Sequence, residues 1–232
     1  MTSIRATSEP RMPTAGRSSY GNDLTRVKRT RDRAAKQRAL FQAALKLFAS
    51  KGYEATTTRE IAAAARCAEG LIHRYFSGKA GLLTALIEYH FSQEVADLGR
   101  ELQPGRNLQA EFIQLVIWEV ERFWKTQEFR KVIISRSFVD PRVAEVMKRS
   151  GILVRADAIR QRLQRYTCCS ALPREQLQAL AQAVGMLGLI FGFMRPIVLG
   201  ENRLRATRMA IIVAKMLVQS VGPDATVDHI FA

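Results

Sequence analysis

Apolar residues recur at helical spacing along most of the chain, and no period-two strand pattern of any length appears. Leu40, Ala44, Leu47 and Phe48 form the stripe of a first helix over 33–50, which Asp32 can cap and Gly52-Tyr53 closes. Two short helices follow. In the first, Ile61, Ala62 and Ala65 share one face, Thr57 offers an N-cap hydroxyl, and Glu60 three residues on completes a capping box. The turn is Arg66-Cys67-Ala68. In the second, over 69–76, Ile72, Tyr75 and Phe76 share a face. Gly70 and Arg74 point away from it, flanked by Leu71 and His73. Two helices joined by so short a turn predict a helix-turn-helix, which offers its second helix to a DNA major groove.

Downstream, Leu82 and Leu83 open a helix over 79–102, about 36 Å long at 1.5 Å per residue, ended by Gln103-Pro104-Gly105. Phe112, Leu115, Val116, Glu119 and Phe123 mark another helix from Leu108, and a short one covers 128–136. Asp140-Pro141 starts the next, which runs to Tyr166. A loop with Cys168 and Cys169 precedes a long apolar helix from Pro173 to Met194. After the Gly200-Glu201-Asn202 turn, the last helix runs from Leu204 to Val221. The prediction is an all-α protein of about nine helices. It divides into a basic arm over 1–31, a three-helix head over 32–78 and a larger helical domain over 79–232.

Charge adds a direction to this picture. The 232 residues carry a net charge of +15. Residues 1–80 hold 16 Lys and Arg against 6 Asp and Glu, so most of the excess lies beside the helix-turn-helix. A polyanion partner for the N-terminal third follows. The arm, which ends in the cluster Arg26, Lys28, Arg29, Arg31 and Arg33, is expected to be disordered alone and to reach phosphates or the minor groove, or else to be a solubilising tail.

Three cysteines, Cys67, Cys168 and Cys169, form neither a disulfide framework nor a metal-ligand spacing with His73, His90 and His229. Cys168-Cys169 reads as a plain loop pair or a thiol sensor. No signal peptide is legible, and the most apolar run, 183–199, is broken by glycines and Arg195-Pro196. A cytoplasmic protein without a membrane span is expected. No catalytic motif, phosphate loop, metal cluster or cofactor site appears, so the chain reads as no enzyme.

The run F-A-S-K-G-Y-E-A-T-T-T-R-E-I-A, then A-E-G-L-I-H-R-Y-F, then K-A-G-L-L, resembles the TetR (tetracycline-repressor-type) family of bacterial transcription regulators over roughly 33–86. Two positions depart from the family pattern: Arg66 stands where a Gly is usual, and Ala68 where a Ser or Thr is usual. The resemblance implies a homodimeric regulator in which the last two long helices of each subunit, here those starting at Pro173 and Leu204 and ending near Met194 and Val221, pack across a dyad. Gly185, Gly188 and Gly192 on the first of them fit such a seam or a tight contact within the chain.

Chemistry and resemblance together nominate Thr57, Glu69, Gly70, Leu71, His73, Arg74, Tyr75 and Lys79 for a double-stranded DNA operator. Thr57, His73, Tyr75 and Lys79 would meet phosphate, and Arg74 a guanine. Leu71 would meet a thymine methyl. Glu69 would accept from a cytosine or simply be a solvated cap, and Tyr75 is as plausible in the core.

A small, hydrophobic inducer is expected in the second domain. Phe112, Trp118, Phe123, Trp124, Phe138 and Tyr166 are the candidate walls and Glu119, Glu121 and Arg122 the candidate polar contacts. For each aromatic, ordinary core is the competing reading. The leading reading is a repressor released by that ligand from a palindromic operator. The alternative is an architectural DNA binder that needs no ligand.

Overall fold

The computed structural model describes residues 20–166 and 172–219, with side chains from Asp32 onward. Cys168 and Cys169 and the first nineteen residues of the arm lie outside them. The described residues are helical with no strand, in line with the all-α expectation. The first helix, α1 (Tyr20–Lys51), is longer than expected. It starts twelve residues before Asp32, which is therefore no cap, and it takes in 20–31 of the expected arm. No Gly or Pro occurs between Asn22 and Lys51, so nothing stops the helix from continuing through the basic cluster.

α2 (Thr58–Ala64) and α3 (Gly70–Phe76) complete the head, and α4 (Lys79–Glu101) runs out of it. Leu40, Ala44, Phe48, Ile61, Ile72, Leu82, Leu83 and Leu86 form its buried core. This core does not stop at the expected boundary after 78. It continues through Phe91 into Phe129, Val132 and Ile133 of α6 (Gln127–Ser137) and Val143 and Val146 of α7 (Pro141–Val146). Between α3 and α4 the chain doubles back so tightly that a Cβ on Gly81 would lie 1.7 Å from the Phe76 carbonyl oxygen. The glycine of the K-A-G-L-L run is thus a packing requirement.

A second core joins α5 (Leu108–Lys125), α8 (Val154–Leu163), α9 (Arg174–Leu189) and α10 (Arg203–Gln219) around Phe112, Leu115, Val116, Ile159, Leu177 and Val184. Asn107 caps α5 and Asp140 caps α7, each through a side-chain oxygen. The helix starting at Pro141 and the one starting at Arg174 are not regular throughout. Met147–Leu153 and Ile190–Val198 are π-helical, and the latter carries Pro196, which has no N–H to give an α-helical ladder.

The glycines settle one open alternative. A Cβ on Gly188 would meet Glu119 Cβ at 2.8 Å, and one on Gly192 the Val120 carbonyl oxygen at 2.4 Å. These two therefore press α9 and its extension onto α5 of the same chain. The combined helix, Arg174–Val198, is long and apolar enough to cross a membrane, unlike the interrupted run read from sequence. In this fold 44% of its most apolar window is buried. Its other face is apolar as well.

Candidate DNA-binding face and ligand cavity

α2 begins with the expected capping box. The Thr57 hydroxyl accepts from the Glu60 N–H, and the Glu60 carboxylate accepts from the Thr57 N–H at 2.9 Å. Lys51 also donates to Glu60. The Lys51 hydrogen bond and then those of Thr57 bring the Glu60 carboxyl down to about 2. In the turn, Arg66 adopts φ +52°, the left-handed conformation that the family's usual glycine takes without strain. Ala68 offers no cap to α3. Glu69, at the N-cap, makes no cap bond either. Its carboxylate accepts from the Thr58 hydroxyl at 2.6 Å and so ties the start of α3 to the start of α2.

Ile72 and Phe76 anchor α3 in the head core, and Gly70, His73 and Arg74 are left exposed on its far side. No described atom lies within 4 Å of where a Gly70 Cβ would stand. Leu71 and Tyr75 are half-buried and pack against the core. The Tyr75 ring lies under Arg33 at 5.0 Å, joining α3 to α1. Tyr75 thus takes the core role that its inward direction allowed, with part of its surface still open.

Lys79 is placed differently from the phosphate contact expected of it. Its ammonium donates to the carbonyls of Tyr53 (2.9 Å), Glu54 (3.3 Å) and Thr56 (2.9 Å), and lies 4.4 Å from the Tyr53 ring centre. All three donors are occupied in clasping the loop between α1 and α2. Arg136 of α6 covers the same ring at 4.3 Å and donates to Glu54 at 2.5 Å. Sequence gives Tyr53 only the closing of the first helix and does not single out Arg136, because the contacts join residues far apart in the chain.

Behind the head lies a buried charge network. Glu94 of α4 accepts from Arg130 of α6 and, at 2.9 Å, from Arg155 of α8. Arg155 also donates to Glu119 of α5 at 3.4 Å. Arg122 pairs with Asp97 at 2.9 Å. The arginines outweigh burial at Glu94 and hold its carboxyl below the usual range, whereas burial dominates at Glu119 and pushes its carboxyl up. Burial thus favours the neutral form of Glu119. Its Oε1 is enclosed without a hydrogen-bond partner among the described residues.

Beside the network opens a cavity of about 320 Å³, walled by Phe123, Ile152, Arg155, Ile159, Gly185 and Leu189 with their neighbours on α8 and α9. The volume is in the range of small-molecule sites.

The model of the tetR family of bacterial regulatory proteins matches residues 40–86, the stretch that builds this head. Residues 40–86 are thus a tetR-family segment. An uncharacterised HTH-type transcriptional regulator of Bacillus subtilis, YvkB, is 36% identical over 102 residues, 44% of this chain and 50% of that one. The HTH-type transcriptional repressor KstR of Rhodococcus jostii is 28% identical over 136 residues, 59% of this chain and 61% of that one. Both matches span less than two thirds of the relative's length. Among solved structures, a TetR-family regulator of Mesorhizobium loti superposes with a TM-score of 0.64 at 20% identity, over 81% of this chain and 96% of that one. FadR of Bacillus subtilis in complex with stearoyl-CoA does so with a TM-score of 0.54 at 12% identity, over 79% and 96%. These likenesses show the fold, and the named relatives are regulators, not enzymes.

The cavity differs from the one expected. Of the six nominated aromatics only Phe123 lines it. Phe112 is fully buried in the second core, Trp118 donates to Glu101 at 2.9 Å, and Trp124 lies under Arg203 at 4.8 Å. Tyr166 donates to the Gly105 carbonyl at 2.7 Å, and Phe138 is 84% exposed. Glu121 accepts from Arg203, away from the cavity wall. The wall is mainly aliphatic, and its two polar members, Arg155 and Gln182, carry no sequence signal beyond polar residues among helical ones.

Proposed function

We propose that this tetR-family chain regulates transcription as a homodimer that reads a palindromic double-stranded DNA operator with α3. In this reading residues 32–78 are the DNA-binding domain, extended by the helical 20–31. Residues 79–232 bind a small hydrophobic ligand and dimerise. The observation that carries the reading is the outward face of α3: Gly70, His73 and Arg74 stand free while Ile72 and Phe76 fix the helix from behind. Thr57 and the open side of Tyr75 flank that face, and Glu69 sets its start. Lys79 contributes by holding the loop below.

Ligand release follows if the ligand prefers a conformation in which the two heads no longer match the half-site spacing. Support for an apolar ligand is the aliphatic cavity and, as an analogy, the stearoyl-CoA bound by a protein of like fold. Repression is supported by the distant likeness to a repressor.

The test is fluorescence anisotropy with operator duplexes substituted one base pair at a time. Arg74→Ala is expected to weaken binding to the best sequence by about 1–3 kcal/mol and to flatten preference at one position per half-site. A variant with the preference of the wild type at every position would refute the assignment of α3.

A further inference from the structure

We propose that the cavity between α8 and α9 binds a compact apolar monocarboxylate, whose carboxylate takes the free edge of the Arg155 guanidinium. This deepens the ligand-binding reading of residues 79–232 and rests on it.

Three observations converge. First, Arg155 lines a cavity walled otherwise by apolar residues, among them Phe123, Ile152, Ile159 and Leu189, and by one neutral polar residue, Gln182. An arginine is costly in such a wall unless it is paired. Second, both of its protein hydrogen bonds, to Glu94 and Glu119, leave through Nη1. Nε and Nη2, the edge of the guanidinium that fits a carboxylate with two parallel bonds, meet no acceptor among the described residues. Third, guanidinium groups crowd around Glu94, which faces Arg130, Arg155 and, at 3.8 Å, Arg122, while burial favours the neutral form of Glu119. A ligand carboxylate would be drawn to that gathering of cations. A cation would be repelled. A neutral molecule would gain the apolar wall but not the fork. The π-helical Met147–Leu153 supplies Ile152 to the wall, and π-helical turns recur where helices bend around sites.

The experiment is isothermal titration calorimetry of the full chain, without DNA, against decanoate, decanol and decyltrimethylammonium. Decanoate is expected to bind at one site per subunit, about tenfold or more tighter than decanol, with no binding of the cation. Arg155→Met should bring decanoate down to the level of decanol and leave decanol unchanged. Gly185→Leu covers the case in which removing Arg155 upsets the fold. Gly185 lines the cavity and a Cβ there meets nothing within 4 Å, so this variant grows a side chain into the cavity and should abolish binding of both with an undiminished melting temperature. Equal affinity for decanoate and decanol, preference for the cation, no binding by any probe, or decanoate binding that survives Gly185→Leu would each overturn the proposal. Because no DNA is present, these outcomes are independent of operator binding. A chain that reads an operator but shows no carboxylate preference loses only this inference. One that binds decanoate but no operator loses the regulator reading.

Discussion

Arg66 holds the turn of the helix-turn-helix in a left-handed conformation that costs an L-residue about 1–2 kcal/mol. Glycine would avoid that cost but would lose about 0.5–1 kcal/mol to the greater freedom of its unfolded chain. The strain outweighs that loss, so Arg66→Gly is expected to stabilise the protein by about 0.5–1 kcal/mol, read as a higher urea midpoint at unchanged slope. Glu119 gives a second test. Its folded carboxyl titrates above the ordinary 4.5 because of burial. The stabilisation from keeping it neutral is complete below the unfolded value and is lost as pH rises toward the folded value. Glu119→Gln has no such titration, so its unfolding free energy should gain on the wild type as pH rises above the ordinary 4.5. A constant difference would mean that Glu119 is ionised throughout. The capping box of Thr57 and Glu60 and the direction of Gly70, His73 and Arg74 were legible in the sequence because helix periodicity fixes both locally. The roles of Lys79, Tyr75 and Arg155 were not, since each depends on partners brought in from distant elements.

Among the helices, the turn from α3 into α4 is the least forgiving place in the head. Alanine at position 81 would gain about 1 kcal/mol in helix propensity. Against that stands a Cβ placed 1.7 Å from the backbone oxygen of Phe76, which cannot move without shifting α3. Gly81→Ala is therefore expected to destabilise by about 2–4 kcal/mol net, measured by chemical unfolding. A neutral result would show that α3 and α4 can slide apart at no cost. The existence and order of the helices followed from apolar spacing. The start of α1 at Tyr20 and the two π-helical stretches did not. A basic run with no breaker reads equally as arm or helix, and apolar spacing does not distinguish a π-helical turn from an α-helical one. The cavity was expected among aromatics because they are the bulkiest apolar side chains. Most of them are core or surface, and the space lies between the smaller residues of α8 and α9.

For the whole molecule, the decisive feature is the apolar surface of the last two helices. Met186, Ile190, Met194 and Val198 lie exposed along one, and Leu204, Met209, Ile212 and Met216 along the other. Their opposite faces are already buried, α10 by Ala206, Ala210 and Ala214. A helix apolar on two faces needs two partners, and a second copy of the same surface is the simplest closed solution. Ile212→Arg should give a folded monomer by sedimentation. Its operator affinity should fall about a hundredfold or more, because the two heads no longer act together.

Reading of DNA by two copies of α3 across a dyad is tested most directly by selection of binding sites by the full chain from random duplex DNA at physiological salt. The expected result is an enriched inverted repeat whose half-sites are centred about 34 Å apart, or a multiple of that distance. Enrichment of a single asymmetric site, or retention of all sequences alike with a steep loss of binding in salt, would contradict it.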